Sequence, residues 1–175
     1  MQTRLPPTTE KNVAARLFLR FFLCYFVTAI AAFFLFRHAA PMLPSDHLGK
    51  LQFSLVLLAL LGAVLTLSKP YLLILTAVKA FFDIRWLTAV TQALPSLAGG
   101  FWAFNACFFY LAFSLFLFCT AAARACLFAS NSIMRDTQLL FSKKFAVYLI
   151  ETVFFAALAL SLFYIWPQLE ALIQV

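Results

Sequence analysis

Four charged residues lie inside stretches of sequence that are otherwise apolar, and their types are those most able to do chemistry there. Lys79, Asp83 and Arg85 interrupt one apolar segment, and Glu151 interrupts another. An ionisable group inside a lipid-embedded segment costs about 2.5–3.5 kcal/mol, so such groups face a protein interior or water rather than lipid. These four residues are therefore the candidate functional residues.

The spacing of the first three residues predicts how they pair. Lys79 and Asp83 are four residues apart, so on a helix they share one face and can form an ion pair. Arg85 lies about 160° further round than Lys79 at about 100° per residue, and we expect it to meet another helix, a lipid phosphate or water. The group can line an ion or substrate path, or dock a partner protein. Alternatively, the pair is an internal salt bridge that fixes the helix register.

Glu151 lies six residues into the last apolar segment, about 9 Å from its start if that segment is a helix. A cationic partner is expected, and Arg124 or Lys144 could reach it from the same end. The alternative is a proton relay between Asp83 and Glu151, which requires the fold to bring the two carboxylates together.

The composition indicates that lipid surrounds most of the chain. Of the 175 residues, 65% are hydrophobic and 11% are charged, whereas soluble domains have about 45–50% and about 25%. A soluble fold of this length would expose apolar patches far larger than monomers tolerate. The net charge of +7 would suggest nucleic acid in a soluble protein. Here the basic residues flank apolar spans, so they are expected to set orientation and contact anionic lipid headgroups rather than nucleic acid.

The predicted fold class is all-α: a polytopic integral membrane helical bundle of about five transmembrane helices. Residues 1–20 are expected to be a cytoplasmic N-terminal tail, and residues 21–175 a single helical transmembrane domain. The third helix is polar, and a broken or re-entrant form of it remains an alternative. A polar connector is expected at 124–144, and Pro167 is expected to end the last span. The predicted spans lie near residues 21–36, 51–68, 71–94, 101–123 and 145–166.

The basic residues are divided unevenly between the two sides of such a bundle. With five spans, one side receives nine Lys and Arg residues, and the other receives only Arg37 and Lys50. The positive-inside rule then predicts a multi-pass protein of the cell membrane with a cytoplasmic N-terminus and an extracytoplasmic C-terminus. A four-span arrangement, in which the third segment does not cross, would leave a much weaker bias.

The sequence carries no familiar catalytic motif, so we predict no enzyme, no cofactor and no metal site. HExxH, GxSxG, Walker A and GxGxxG patterns are all missing. The two histidines share one loop, and no CxxC spacing occurs. The four cysteines are expected to act as small hydrophobic residues. They are Cys24, Cys107, Cys119 and Cys126.

One part of the chain has the layout of a known family. Residues 60–82 comprise an apolar span, a break near Pro70 and an apolar stretch that ends in Lys79-Ala80-Phe81. This resembles the stage II sporulation protein M family, in which a Lys/Arg-Gly-Phe type motif occupies that place. Ala80 departs from the usual Gly, and Asp83-Ile84-Arg85 replaces small residues.

The resemblance continues along roughly two-thirds of the chain, with short and apolar motifs. Ala93-Leu94-Pro95 is similar to the family's Leu-Pro before its fourth span. Ile165-Trp166-Pro167-Gln168-Leu169-Glu170 is similar to its last helix running into a Pro.

Two functions from different classes follow from these patterns. The resemblance implies a non-enzymatic membrane scaffold that organises partner proteins of a cell-wall remodelling complex in a spore-forming bacterium. The charges suggest an alternative, a small transporter or channel subunit. Its polar path would be lined by Lys79, Asp83, Arg85 and Glu151. Other membrane proteins are expected partners in either case, and a homo-oligomer is compatible with both.

Overall fold

The described part of the chain, in a computed structural model, is helical except for Arg37, which forms a turn. It covers residues 7–37, 48–64, 69–93, 100–132 and 143–174. The five helices are α1 (Pro7–Phe36), α2 (Leu48–Val64), α3 (Lys69–Ala93), α4 (Gly100–Ser132) and α5 (Lys143–Gln174). The predicted all-helical class is confirmed over these residues.

Three of the helices are long and apolar enough to cross a membrane. They contain the segments Asn12–Phe36, Phe104–Phe128 and Phe145–Leu169, each of 25 residues. Helix α2 is apolar but short, with 17 residues, and α3 is one unbroken helix of 25 residues. The broken form of α3 that we considered is therefore not the observed one. Composition alone thus supports a membrane location for three helices.

The helices alternate in direction along the chain. In α4 and α5, Tyr110 lies by Leu162 and Arg124 by Glu151, so these two helices are antiparallel. Likewise, Gly49 of α2 lies against Trp166 of α5, and the carbonyl of Leu60 lies by Tyr148, so α2 is also antiparallel to α5.

Helices α1 and α3 run parallel to each other. Cys24 lies by the carbonyl of Leu73, and Phe36 packs against Phe81 further along both helices. Helix α4 contacts all four other helices, and 61% of its most apolar segment is buried, compared with 28% for α1 and 17% for α5. The bundle is therefore built around α4, with α5 at its edge.

Two helices extend beyond the predicted spans. Helix α1 begins at Pro7, within the expected tail, since proline suits the first position of a helix. Helix α4 continues past Ala123 to Ser132, into the expected connector, because no Gly or Pro occurs in residues 101–132. The expected break at 95–100 and residues 65–68 of the second span lie almost entirely outside the described residues.

We had expected Pro167 to end the last helix, but it does not. Helix α5 continues through it to Gln174. Proline lacks the N–H that would bond four residues back, and its ring crowds the preceding turn. Pro167 leaves the Phe163 carbonyl, four residues earlier, without its backbone donor. The adjacent Leu162 carbonyl accepts a 3.1 Å hydrogen bond from the Tyr110 hydroxyl of α4, so a neighbouring helix bonds to the turn that precedes the proline.

Candidate functional site: a buried polar core

Helix α3 presents Lys79 and Asp83 together to the interior. The distance from Lys79 Nζ to Asp83 Oδ2 is 2.9 Å, and both side chains are completely buried. The predicted pairing of these two residues is therefore confirmed, and it follows from their spacing of one helical turn.

Three helices provide the acceptors for the Lys79 ammonium. Its Nζ donates to Asp83 Oδ2 of its own helix, to Ser114 Oγ of α4 at 2.9 Å and to Gln52 Oε1 of α2. An ammonium has three protons to donate. These three oxygens therefore match its full donor capacity.

The Asp83 carboxylate is held from two further helices. Its Oδ2 accepts a hydrogen bond of 2.9 Å from the Tyr25 hydroxyl of α1, and its Oδ1 accepts one from Gln52 Nε2. The Ser114 hydroxyl donates to Gln52 Oε1 at 2.7 Å. With this amide orientation, Gln52 uses its oxygen for Lys79 and Ser114 and its nitrogen for Asp83. We call Tyr25, Gln52, Lys79, Asp83 and Ser114 the polar core.

The polar core holds four helices together through buried hydrogen bonds and one ion pair. Its two charges cancel, and Gln52, Lys79, Asp83 and Ser114 are all 0% exposed. Charge-assisted hydrogen bonds in a low-dielectric interior are strong, and a buried network is stable only when its members are satisfied. The polar core meets that condition while joining α1, α2, α3 and α4.

Different side chains border the polar core on its two sides. One helical turn along α2, α3 and α4 lie Gly49, Trp86 and Tyr110, and Trp166 of α5 packs among them. One turn in the opposite direction the interior is filled by buried side chains that are mostly apolar. These are Phe21, Val56, Thr76 and Phe118, of which Thr76 bonds to the Leu72 carbonyl of its own helix.

Arg85 lies apart from the polar core. It is exposed, and its guanidinium carbon lies 5.8 Å from the centroid of the Phe36 ring on α1. This is cation–π distance. It agrees with the expectation that Arg85 meets another helix.

Glu151 lies at the opposite end of the bundle. It pairs with Arg124 at 3.6 Å, with half of the Arg124 side chain and a third of its own exposed. Arg124 was one of its two predicted partners. Since Arg124 is ten residues beyond Ser114, the pair lies about 15 Å along α4 from the polar core. The structure therefore brings Lys79 and Asp83 together, but does not assemble the four candidates into one group.

The described residues form neither a disulfide nor a candidate metal cluster. All four cysteines are free, with three buried and Cys24 partly exposed. No group of three His, Cys, Asp or Glu residues that could hold a metal ion occurs within the described ranges. The polar core itself has a single carboxylate, and Lys79 already occupies the position a cation would take beside it.

Tyr25, Gln52 and Ser114 were not predicted from the sequence. Each has an apolar residue or a cysteine on either side, and polar residues in such surroundings also occur in lipid-facing positions with no partner on another helix. Their positions along the predicted spans could have indicated them. If five helices run in alternating directions, all three residues lie at about the same depth in the bundle as Lys79 and Asp83.

Comparison with known proteins identifies no relative of this chain. No protein-family model, curated protein or solved structure matches the chain.

Proposed function

We propose that this chain is a five-span membrane protein that acts as a non-enzymatic scaffold for other membrane proteins. The observation that carries the proposal is the polar core, in which every proton of a buried ammonium is donated to an oxygen of the bundle itself. Such a group holds helices in register and offers no free site to a passing ion or substrate.

Five spans agree with the alternating helix directions. Because successive helices run in opposite directions, the amino ends of α1, α3 and α5 lie at one end of the bundle, together with the carboxyl ends of α2 and α4. That end carries nine basic residues against two at the other, so we place it in the cytoplasm. Helix α3 would be about 37 Å long, which exceeds the hydrocarbon thickness of about 30 Å, and its ion pair is hidden from lipid.

The outer surface suits a protein that packs against lipid and apolar partners. Large apolar side chains are exposed along α1 and α5, among them Phe33, Phe34, Val153 and Phe154. A rigid bundle with such faces can present fixed surfaces to neighbouring membrane proteins, where van der Waals packing drives association.

The sporulation setting of this proposal comes from the resemblance to the stage II sporulation protein M family. Ala80, which stands where that family has Gly, is 0% exposed.

Measurements of flux and of partner capture distinguish a scaffold from a transporter or channel. Purified wild-type protein in proteoliposomes should carry no selective ion or solute flux. Crosslinking followed by affinity capture from the native membrane should recover a reproducible set of membrane proteins. The variant Asp83→Asn should reduce that recovery because it loosens the bundle, while Glu151→Gln, at the exposed pair, should leave it unchanged. Selective flux that disappears in Asp83→Asn while partners are still captured would instead establish the transporter or channel alternative.

Topology is tested separately by cysteine labelling. In a background without the native cysteines, Trp102→Cys should react with an impermeant maleimide added to intact cells. Asn12→Cys should react only after lysis. Labelling of Trp102→Cys solely after lysis would contradict the five-span arrangement, since a non-crossing α3 places the start of α4 inside.

A further inference from the structure

The layer of side chains one turn from the polar core contains two buried donors of its own. Trp86 of α3 and Trp166 of α5 are each 2% exposed, and neither indole N–H has an acceptor among the described residues. We call Trp86, Trp166 and Tyr110 the indole layer. A buried donor without an acceptor costs about 1–3 kcal/mol, so two of them in contact require an explanation.

Trp86 and Trp166 cannot supply acceptors for both indole N–H groups between themselves. Trp86 and Trp166 have ring centroids 5.2 Å apart and planes inclined at 66°, an edge-to-face arrangement. In such a pair one ring supplies the edge and the other supplies the face, so only one N–H can point at the partner's π system. At least one indole N–H therefore needs an acceptor that is not the other indole.

We propose that the two indoles bind a water molecule, which extends the polar core toward the carboxyl end of α3. This inference does not depend on the scaffold proposal, because it concerns only the interior of the bundle. Water can accept both indole protons and still has two protons to donate. The oxygen of Tyr110 is a suitable recipient, since its hydroxyl proton is already donated to Leu162 while its lone pairs stay available.

A neutral occupant fits the surroundings better than an anion. The three side chains of the indole layer are uncharged, and the charges of Lys79 and Asp83 one turn away already cancel. All three Lys79 protons are donated within the polar core. An anion would therefore lie in a low-dielectric interior without a counter-charge, which is strongly unfavourable, whereas buried water needs only two to four polar partners.

The site would make the polar core asymmetric. On the side of Phe21, Val56 and Phe118 it meets buried side chains that are mostly apolar, while on the indole side it meets donors that hold water. Hydration, and with it proton exchange, would reach the polar core from one end of the bundle only. In the proposed topology that is the extracytoplasmic end.

Hydroxyl-radical footprinting of the wild-type protein tests the site, because radiolysis of a bound water modifies the side chain beside it. Trp86 and Trp166 should be modified at a rate comparable with that of Trp102, which is 77% exposed. Tyr148 is the matched buried control, since it is 5% exposed and its hydroxyl already donates to the Leu60 carbonyl at 2.8 Å. It should stay unmodified.

Two single substitutions test whether the water is shared. Trp166→Phe keeps an aromatic ring but removes one donor, so modification of Trp86 should fall severalfold, and Trp86→Phe should have the same effect on Trp166. If wild-type Trp86 and Trp166 are as unreactive as Tyr148, the indoles make N–H···π contacts only and the proposal is wrong. Unchanged modification of one indole after loss of the other would equally overturn a shared site. The wild-type comparison needs no variant, so it stands even if a substituted protein does not fold.

Discussion

Replacing Asp83 with Asn tests whether the polar core holds the bundle together. The substitution preserves shape and leaves an oxygen that can still accept from Tyr25 or Gln52, but it removes the only negative charge beside Lys79. Because Lys79 is 0% exposed, its ammonium would be left in the interior without a counter-charge. Breaking a buried ion pair from one side costs about 3–5 kcal/mol, and we expect Asp83→Asn to fall in that range.

The double substitution gives the decisive comparison. Lys79→Met alone leaves the Asp83 carboxylate buried and should also be destabilising. Removing both charges leaves no unpaired ion, and neutral replacement of a buried pair is often tolerated. We therefore expect Lys79→Met/Asp83→Asn to be more stable than the sum of the single effects predicts, by at least about 2 kcal/mol.

Thermal unfolding in detergent, followed by the fluorescence of the buried tryptophans, measures these effects. At about 2–4 °C per kcal/mol for a chain of this size, Asp83→Asn should lower Tm by about 6–20 °C. The matched control is Glu151→Gln, which breaks a 3.6 Å pair that is half-exposed on its arginine side. An exposed pair contributes about 0–1 kcal/mol, so its Tm should change little. Equal shifts for the two variants, or additive single effects, would refute the reasoning.

Two further substitutions probe contacts of α5. A Cβ at Gly49 would lie 2.7 Å from the Cβ of Trp166. Gly49→Ala should therefore lower the stability by about 1–3 kcal/mol through overpacking. An unchanged Tm would mean that α2 and α5 pack less closely than described. Tyr110→Phe removes the donor to the Leu162 carbonyl and should cost about 0.5–1.5 kcal/mol, with faster amide hydrogen exchange in the last turns of α5. Tyr164→Phe, at a 66% exposed position, is its control, and matching exchange rates in the two variants would contradict a role for the Tyr110 hydroxyl.

The parts of the site that sequence could predict are those fixed by local geometry. Lys79 and Asp83 share a helix face because they are one turn apart, and the structure pairs them at 2.9 Å. Glu151 and Arg124 were matched because each lies near the same end of its proposed span, and a charge at a span end finds the nearest opposite charge. Neither prediction required knowledge of how the helices pack.

The remaining members of the polar core depend on packing, and sequence could not supply them. Gln52 is 31 residues from Asp83 and 62 residues from Ser114, and Tyr25 is 58 residues from Asp83. Which face each helix turns inward is set by the whole bundle. The hydrophobic pattern gives little help, because these helices are apolar all round and lipid tolerates the same side chains as the interior.

Helix ends were mispredicted for a related reason. Sequence rules place a helix end at charges and prolines, but those rules assume that freed backbone groups have no other partner. Helix α5 passes Pro167 while α2 and α4 pack against the turn before it, through Gly49 and Tyr110. Helix α4 passes Arg124 because no Gly or Pro follows before Ser132. A proline within a packed helix and a single charge at the expected span end were thus not helix ends.

The two charged side chains of α3 depend on neighbouring helices for most of their hydrogen bonds. In the five-span arrangement that we propose, the Lys79–Asp83 pair within α3 lowers the cost of placing this helix in lipid. Two ammonium protons and the Asp83 Oδ1 oxygen would still lack partners in α3 alone, since their hydrogen bonds reach Ser114 and Gln52, and Oδ2 would lose the hydrogen bond from Tyr25. The polar core is therefore complete only when α1, α2 and α4 are packed around α3.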